Sequence, residues 1–200
     1  MSPQPNSATA VPLSTPAEPG EYSAEERRFL IKLAHESIRA ALENRDLDTE
    51  PLNSHLEERR GAFTTLHLHG ELRGCVGYVF AVYPLYRTVA ETAQAAAFKD
   101  IRFPPVSPAE APHLSVEISV LSPLQAISPD EVEVGRHGLV ITLGTRRGLL
   151  LPQVPVEHGW DQITFLQQTC RKAGLPLDAW QHGATLESFT AEIFGDSGLK

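Results

Sequence analysis

The chain has 200 residues, 42 % of them hydrophobic and 21 % charged, proportions ordinary for one globular domain with a sizeable core. Its 17 basic residues against 25 acidic give a formal charge of −8, which withholds the broad positive footprint that non-specific nucleic-acid binding needs. Cys75 and Cys170 form neither a disulfide framework nor a CxxC zinc pattern, no apolar run nears membrane-spanning length, and the first twenty residues lack the pattern of a signal peptide; a soluble cytoplasmic protein is expected.

Residues 1–20 carry prolines at 3, 5, 12, 16 and 19 among Ser, Thr and Ala, and read as a disordered leader ahead of a single domain over 21–200. Ser23-Ala24-Glu25-Glu26 has the spacing of a capping box, and Leu30, Leu33, Ala34, Ile38, Ala41 and Leu42 repeat at helical intervals, predicting a helix to about Asn44. The β-rich runs Ala62 to Leu68 and Leu72 to Phe80, joined through His69-Gly70-Glu71, predict an antiparallel hairpin. An Ala-rich helix follows over Leu85 to Lys99, stopped by the proline-rich stretch Phe103 to Pro108.

Leu114 to Leu121 alternates Val116, Ile118 and Val120 with Ser115, Glu117 and Ser119, the pattern of a half-buried strand. A second hairpin is expected around Gly144 to Arg147, then a helix from about Asp161 to Ala173 ended by Gly174. Ile163, Leu166, Cys170 and Ala173 share one face of that helix, which assigns Cys170 to the core. One last strand is expected between Thr185 and Phe194. Hairpins interspersed with helices point to an α+β fold with mostly antiparallel sheet.

The most informative residues are Leu72-Arg73-Gly74-Cys75-Val76-Gly77, which place a thiol between glycines and two positions after an arginine. Glycines permit close approach of a backbone or ligand, and a nearby guanidinium would favour the thiolate. Cys75 is therefore a candidate nucleophile, against the alternative of a small buried side chain where nothing larger fits. Its neighbours depend on hairpin register. A two-residue Gly70-Glu71 turn, the commoner length, sets Cys75 opposite Leu66; a three-residue connection sets it on the face of His67 and His69. The shorter turn is the expectation, and a metal site on the two histidines lacks further ligands.

The hexapeptide is similar to the hallmark motif of the AMMECR domain family, named after a chromosomal-deletion syndrome with Alport nephropathy, midface hypoplasia and elliptocytosis. The resemblance extends in order through Asp100-Ile101-Arg102-Phe103-Pro104-Pro105-Val106, Val116 to Ser122, Gly135-Arg136-His137-Gly138-Leu139, Leu150 to Val154 and Lys172-Ala173-Gly174-Leu175. Ile101 stands where the family usually has Pro. The resemblance implies an intertwined α+β domain without an established reaction, grouped in bacteria and archaea with a Memo-like protein and a radical SAM protein as possible partners. No Walker loop, GxGxxG, GxSxG or HExxH motif is present, so no cofactor is expected.

Within this frame Cys75, His137 and Glu117 are the candidate catalytic residues, for nucleophilic attack and proton transfer. Arg73, Gly74, Gly77, Arg102 and Lys172 are candidates for contacting an unknown small molecule, with the three cations forming an anion site if the fold gathers them. The rival expectation is a non-catalytic binding or scaffold domain in which the hexapeptide is architectural.

Overall fold

The computed structural model describes residues 20–198, so the leader expected over 1–20 lies outside it but for Gly20. Helix α1 (Ala24–Leu42) begins at the capping box: Ser23 Oγ accepts from Glu26 N at 3.2 Å, and Glu26 Oε2 accepts from Ser23 N at 2.8 Å. Burial pushes the Glu26 carboxyl up, but hydrogen bonds from Ser23, His55 and Asn53 outweigh it and hold the group at about 2. Leu30, Ile31, Leu33, Ala34 and Ile38 turn one face of α1 inward. Helix α2 (Leu85–Phe98) packs beside it, its inner face built from alanines, Val89 and Thr92.

These two helices cover one face of a four-stranded antiparallel sheet, in the order β2-β1-β3-β8, with β1 Ala62–Leu68, β2 Glu71–Tyr78, β3 Leu114–Leu121 and β8 Ala191–Gly195. A second antiparallel sheet runs β4-β7-β5-β6, with β4 Gln125–Ala126, β5 Gly138–Leu143, β6 Arg146–Leu150 and β7 Thr185–Phe189. Helix α3 is the short Gln153–Glu157 segment. Helix α4 (Gln162–Lys172), capped by Asp161 Oδ1 accepting from Thr164 N at 2.8 Å, covers the second sheet through Phe165, Leu166 and Cys170. Ile163, expected on that inner face, is 47 % exposed: it lies in the first turn, outside the strip that touches the sheet.

The single strand expected near residues 185–194 is two, broken at Thr190, and each half belongs to a different sheet. The pairs Glu117↔Gly195 through Leu121↔Ala191 continue, offset by one residue, as Gln125↔Ser188 and Ala126↔Glu187. The two sheets are thus joined through one bent two-stranded ladder, creased where Ser122 N donates to Thr190 O at 2.9 Å and Thr190 N donates to Ser122 Oγ at 3.0 Å. A small apolar cluster of Leu121, Val140 and Phe189, with Phe63 and Leu151 against it, fills the crease. The fold is α+β, as expected. No helix among the described residues is long and apolar enough to cross a membrane.

Candidate functional site

The hairpin turn is two residues long but sits one position earlier than expected, at His69-Gly70, whose φ angles of 54° and 87° give the doubly left-handed turn suited to strand twist. Leu68 therefore opposes Glu71 and His67 opposes Leu72. Continued without interruption, that register would set Cys75 opposite Thr64, facing helix α2. It does not continue, because Arg73 bulges out and Leu66 pairs with Gly74. Beyond the bulge Cys75 opposes Thr65, and its thiol points away from the helices. The expected Leu66 partner is corrected by these two displacements together.

The bulge also explains both flanking glycines. Gly74 turns toward α2, where an added Cβ would lie 2.2 Å from the Ala96 carbonyl oxygen, so only glycine lets the helix settle there. Gly77 turns the other way and lies under the Phe63 ring, 2.2 Å from where its Cβ would be. Neither contacts a ligand cavity directly. Their shared job is to seat a helix and an aromatic ring on either side of the thiol.

Strand β2 is an edge, and the amide and carbonyl of Cys75 face outward from it. Both are satisfied by one turn: Cys75 N donates to Asp100 Oδ2 at 2.9 Å, and Arg102 Nη2 donates to Cys75 O at 3.3 Å. Arg102 also forks onto Asp100, with Nε at 2.9 Å from Oδ1 and Nη2 at 2.7 Å from Oδ2. That guanidinium, with the Cys75 and Arg102 amides, holds the Asp100 carboxyl well below the usual carboxylate range against the opposing pull of desolvation. Ile101, at the tip of this turn, is fully exposed.

Because Cys75 sends its backbone groups outward, Thr65↔Cys75 is the close, non-hydrogen-bonded kind of antiparallel pair. The side chains meet accordingly, with Thr65 Oγ1 donating to Cys75 Sγ at 3.3 Å. Thr65 in turn opposes Glu117 on β3, so Cys75, Thr65 and Glu117 stand in one row on the helix-free face, spanning about 10 Å between the outer Cα atoms. The face borders a cavity of about 280 Å³ at the crease between the sheets. Cys75, Thr65, Glu117 and Ser119 line its first-sheet side; Gln153 and Glu157 reach it from α3.

The remaining candidates are not gathered here. Arg73, carried off by the bulge, is buried against Glu110, with Nε 2.9 Å from Oε1, and a weaker bond to Pro105 O at 3.4 Å. Arg73 together with Ser107 lowers the Glu110 carboxyl to about 2. Arg102 reaches the Cys75 carbonyl rather than its sulfur. Lys172 is exposed on the last turn of α4, over the other sheet. The three cations expected as an anion site are thus held apart by separate elements. His137 accepts from Glu133 N at 3.0 Å through Nδ1 and lines a different hollow, of about 210 Å³, with Ser122, Ser188 and Thr190. It does not share the Cys75 cavity, so the expected Cys75–His137–Glu117 set reduces to Cys75 and Glu117.

Cys170 is fully buried in the second core, where desolvation pushes its thiol up. Among the described residues Glu21, His55 and Glu58 bring ligand atoms within 4.8 Å of one another, but Arg60 Nη2 already sits 2.6 and 2.8 Å from the two carboxylates and supplies the positive charge.

The AMMECR1 family profile matches residues 31–194, which includes every element that builds the cavity. A Methanopyrus kandleri protein is 43 % identical over 186 residues, covering 87 % of this chain and 90 % of the relative. A Thermococcus kodakarensis protein is 43 % identical over 180 residues, covering 83 % and 88 %. The crystal structure of an uncharacterized protein from Pyrococcus horikoshii, PH0010, superimposes with a TM-score of 0.72 at 41 % identity, covering 86 % of this chain and 91 % of that one. With hexapeptide, fold and profile in agreement, this chain belongs to the AMMECR1 family.

Proposed function

We propose that the chain is a small-molecule enzyme or ligand-binding domain working through Cys75, at the cavity between its two sheets. One observation carries the reading: the Arg73 bulge turns the thiol off the helix-covered face and into a cavity that also holds Glu117 and Glu157. Bulges recur beside active sites because they re-aim a single side chain without disturbing the rest of a sheet. A thiol that attacks an electrophilic carbon forms an S–C bond, releases the leaving group with its electron pair, and passes its proton on; the two carboxylates are the cavity's proton acceptors. Work beside a Memo-like protein and a radical SAM protein, in the cytoplasm, is the setting the family resemblance supports. Iodoacetamide labelling of the folded protein across pH, read at the Cys75 peptide by mass spectrometry, tests the reading. Labelling that rises with thiolate formation supports it; a Cys75 that stays unmodified until the protein unfolds ends it.

A second reading has an observation of its own. Gly74 under α2, Gly77 under Phe63 and the Cys75 amide on Asp100 make the hexapeptide a structural joint, as a scaffold domain would use it. In that case Cys75→Ala preserves biological activity while Gly74→Ala removes it, whereas the thiol reading requires both to fail.

A further inference from the structure

The cavity at the sheet crease has an uneven charge. Glu117 and Glu157 both line it and no Lys, Arg or His does; beside Cys75 its wall is mostly apolar, with Phe63, Leu121, Leu151 and Ile193, and its other polar groups are neutral. Both glutamates are exposed, and neither makes an ion pair or a side-chain hydrogen bond among the described residues, whereas Glu110, Glu187 and Glu192 are each paired with an arginine. The neighbouring hollow, of about 260 Å³, shares Gln153, Glu157, Ala191 and Ile193 with it and has one cation at its rim, Arg136. That guanidinium is already held by Glu133, 3.2 Å from Oε1 and 3.3 Å from Oε2. On the other side of Cys75 the Asp100–Arg102 pair closes on itself. Two carboxylates therefore face the space in front of the thiol with no protein counter-charge.

From this arrangement we infer that the site takes a cationic ligand, a small amine, amidine or guanidine with a short apolar stem. The inference rests on the thiol-site reading above and adds the charge and shape of what enters. Opposite charge in a partly enclosed cleft raises the local concentration of such a ligand and repels anions. The apolar wall accepts the stem, and the carboxylates of Glu117 and Glu157 receive the positive head, which places the ligand's body beside Cys75 Sγ.

The test uses three methanethiosulfonate reagents that differ in charge: a trimethylammonium-ethyl form, a sulfonato-ethyl form and the neutral methyl form. In each the Cys75 thiolate attacks the sulfenyl sulfur, an S–S bond forms, the S–SO2 bond breaks, and methanesulfinate leaves with the electron pair. Rates at Cys75 are read by peptide mass spectrometry and divided by each reagent's rate with free 2-mercaptoethanol. We expect the cationic reagent to exceed the anionic one by tenfold or more at low salt, with the ratio falling as salt is raised. Glu117→Gln and Glu157→Gln should each reduce the ratio several-fold, and the double variant should bring it near the free-thiol value. Glu50→Gln with Asp178→Asn, two exposed carboxylates away from the cavity, removes the same total charge and should leave the ratio unchanged. A wild-type ratio at the free-thiol value, an anionic preference, or equal effects of the two double variants would overturn the inference while leaving the thiol site standing, provided the neutral reagent modifies Cys75. No reaction with any of the three ends both.

Discussion

Replacing Gly74 by alanine puts the central packing argument at risk in one substitution. The new Cβ would lie 2.2 Å from the Ala96 carbonyl oxygen and 3.0 Å from its carbon. A relaxed C···O contact needs about 3.3 Å, so α2 has to withdraw by about 1 Å. It is poorly placed to do so. Val89, Ala93 and Ala96 are all but inaccessible, Thr92 is tied to Thr64 by a 2.8 Å hydroxyl pair, and Ala97 O accepts from Val106 N at 2.9 Å. Overpacking of this kind costs about 1–3 kcal/mol, and the backbone-against-backbone contact argues for the upper half, about 2–3 kcal/mol. For a domain of this size each kcal/mol moves Tm by about 2–4 °C, which predicts a fall of about 4–12 °C. Thermal unfolding followed by circular dichroism reads it directly. Gly198→Ala, with nothing within 4 Å of its Cβ and no positive φ, is the matched control and should melt with the wild type. A Gly74→Ala protein whose Tm stays within about 1 °C of that control would refute the claim that glycine is needed there to seat α2.

Other outcomes follow from the same geometry. Gly77→Ala should cost less stability, since the clash is with a side-chain ring rather than backbone, but Phe63 lines the cavity, so a displaced ring should slow Cys75 labelling. Thr65→Val keeps the shape and deletes the hydroxyl that donates to Sγ at 3.3 Å; a hydrogen bond worth about 0.5–1.5 kcal/mol corresponds to a change in Cys75 labelling rate at pH 7 of roughly 2- to 12-fold, readable with iodoacetamide. Asp100→Asn removes the charged acceptor of the Cys75 amide, and should destabilise by about 1–3 kcal/mol with a matching loss of hydrogen-exchange protection at that one amide. Glu110 is held at about 2 by Arg73 and Ser107, below its unfolded value, so its contribution is present above about pH 4.5 and is lost as pH falls toward 2. Acid titration of stability should accordingly be shallower in Glu110→Gln over that window, and an unchanged profile would show that the pair contributes nothing.

The regular parts of this fold were legible because periodicity and turn chemistry report them. Helix α1 starts at the capping box, α4 ends before Gly174 at φ +67°, and β3 alternates as written. What escaped were features shorter than a period or set by partners distant in sequence. A five-residue helix such as α3 leaves no repeat to detect, and with it went Gln153 and Glu157, which close the cavity. The Arg73 bulge has no signature in a run that reads as a uniform strand, yet it decides which way Cys75 faces. Asp100 stood beside Arg102 in plain view; its role came from the bare edge of β2, which only the sheet order reveals. His137 is linked to Cys75 by its ring chemistry and its place in a family motif, and neither reports distance.

The creased ladder has a consequence for synthesis. Strands β7 and β8 follow all the others in the chain, yet β8 completes one sheet and β7 lies inside the other. A ribosome that has delivered the chain as far as α4 has made every major helix and finished neither sheet. Until the remaining segment emerges, the outer edge of β3 keeps its amides and carbonyls open to any extended strand, including β8 of a neighbouring nascent copy. Exchange of that final β7–β8 segment between two molecules is the misassembly this topology invites.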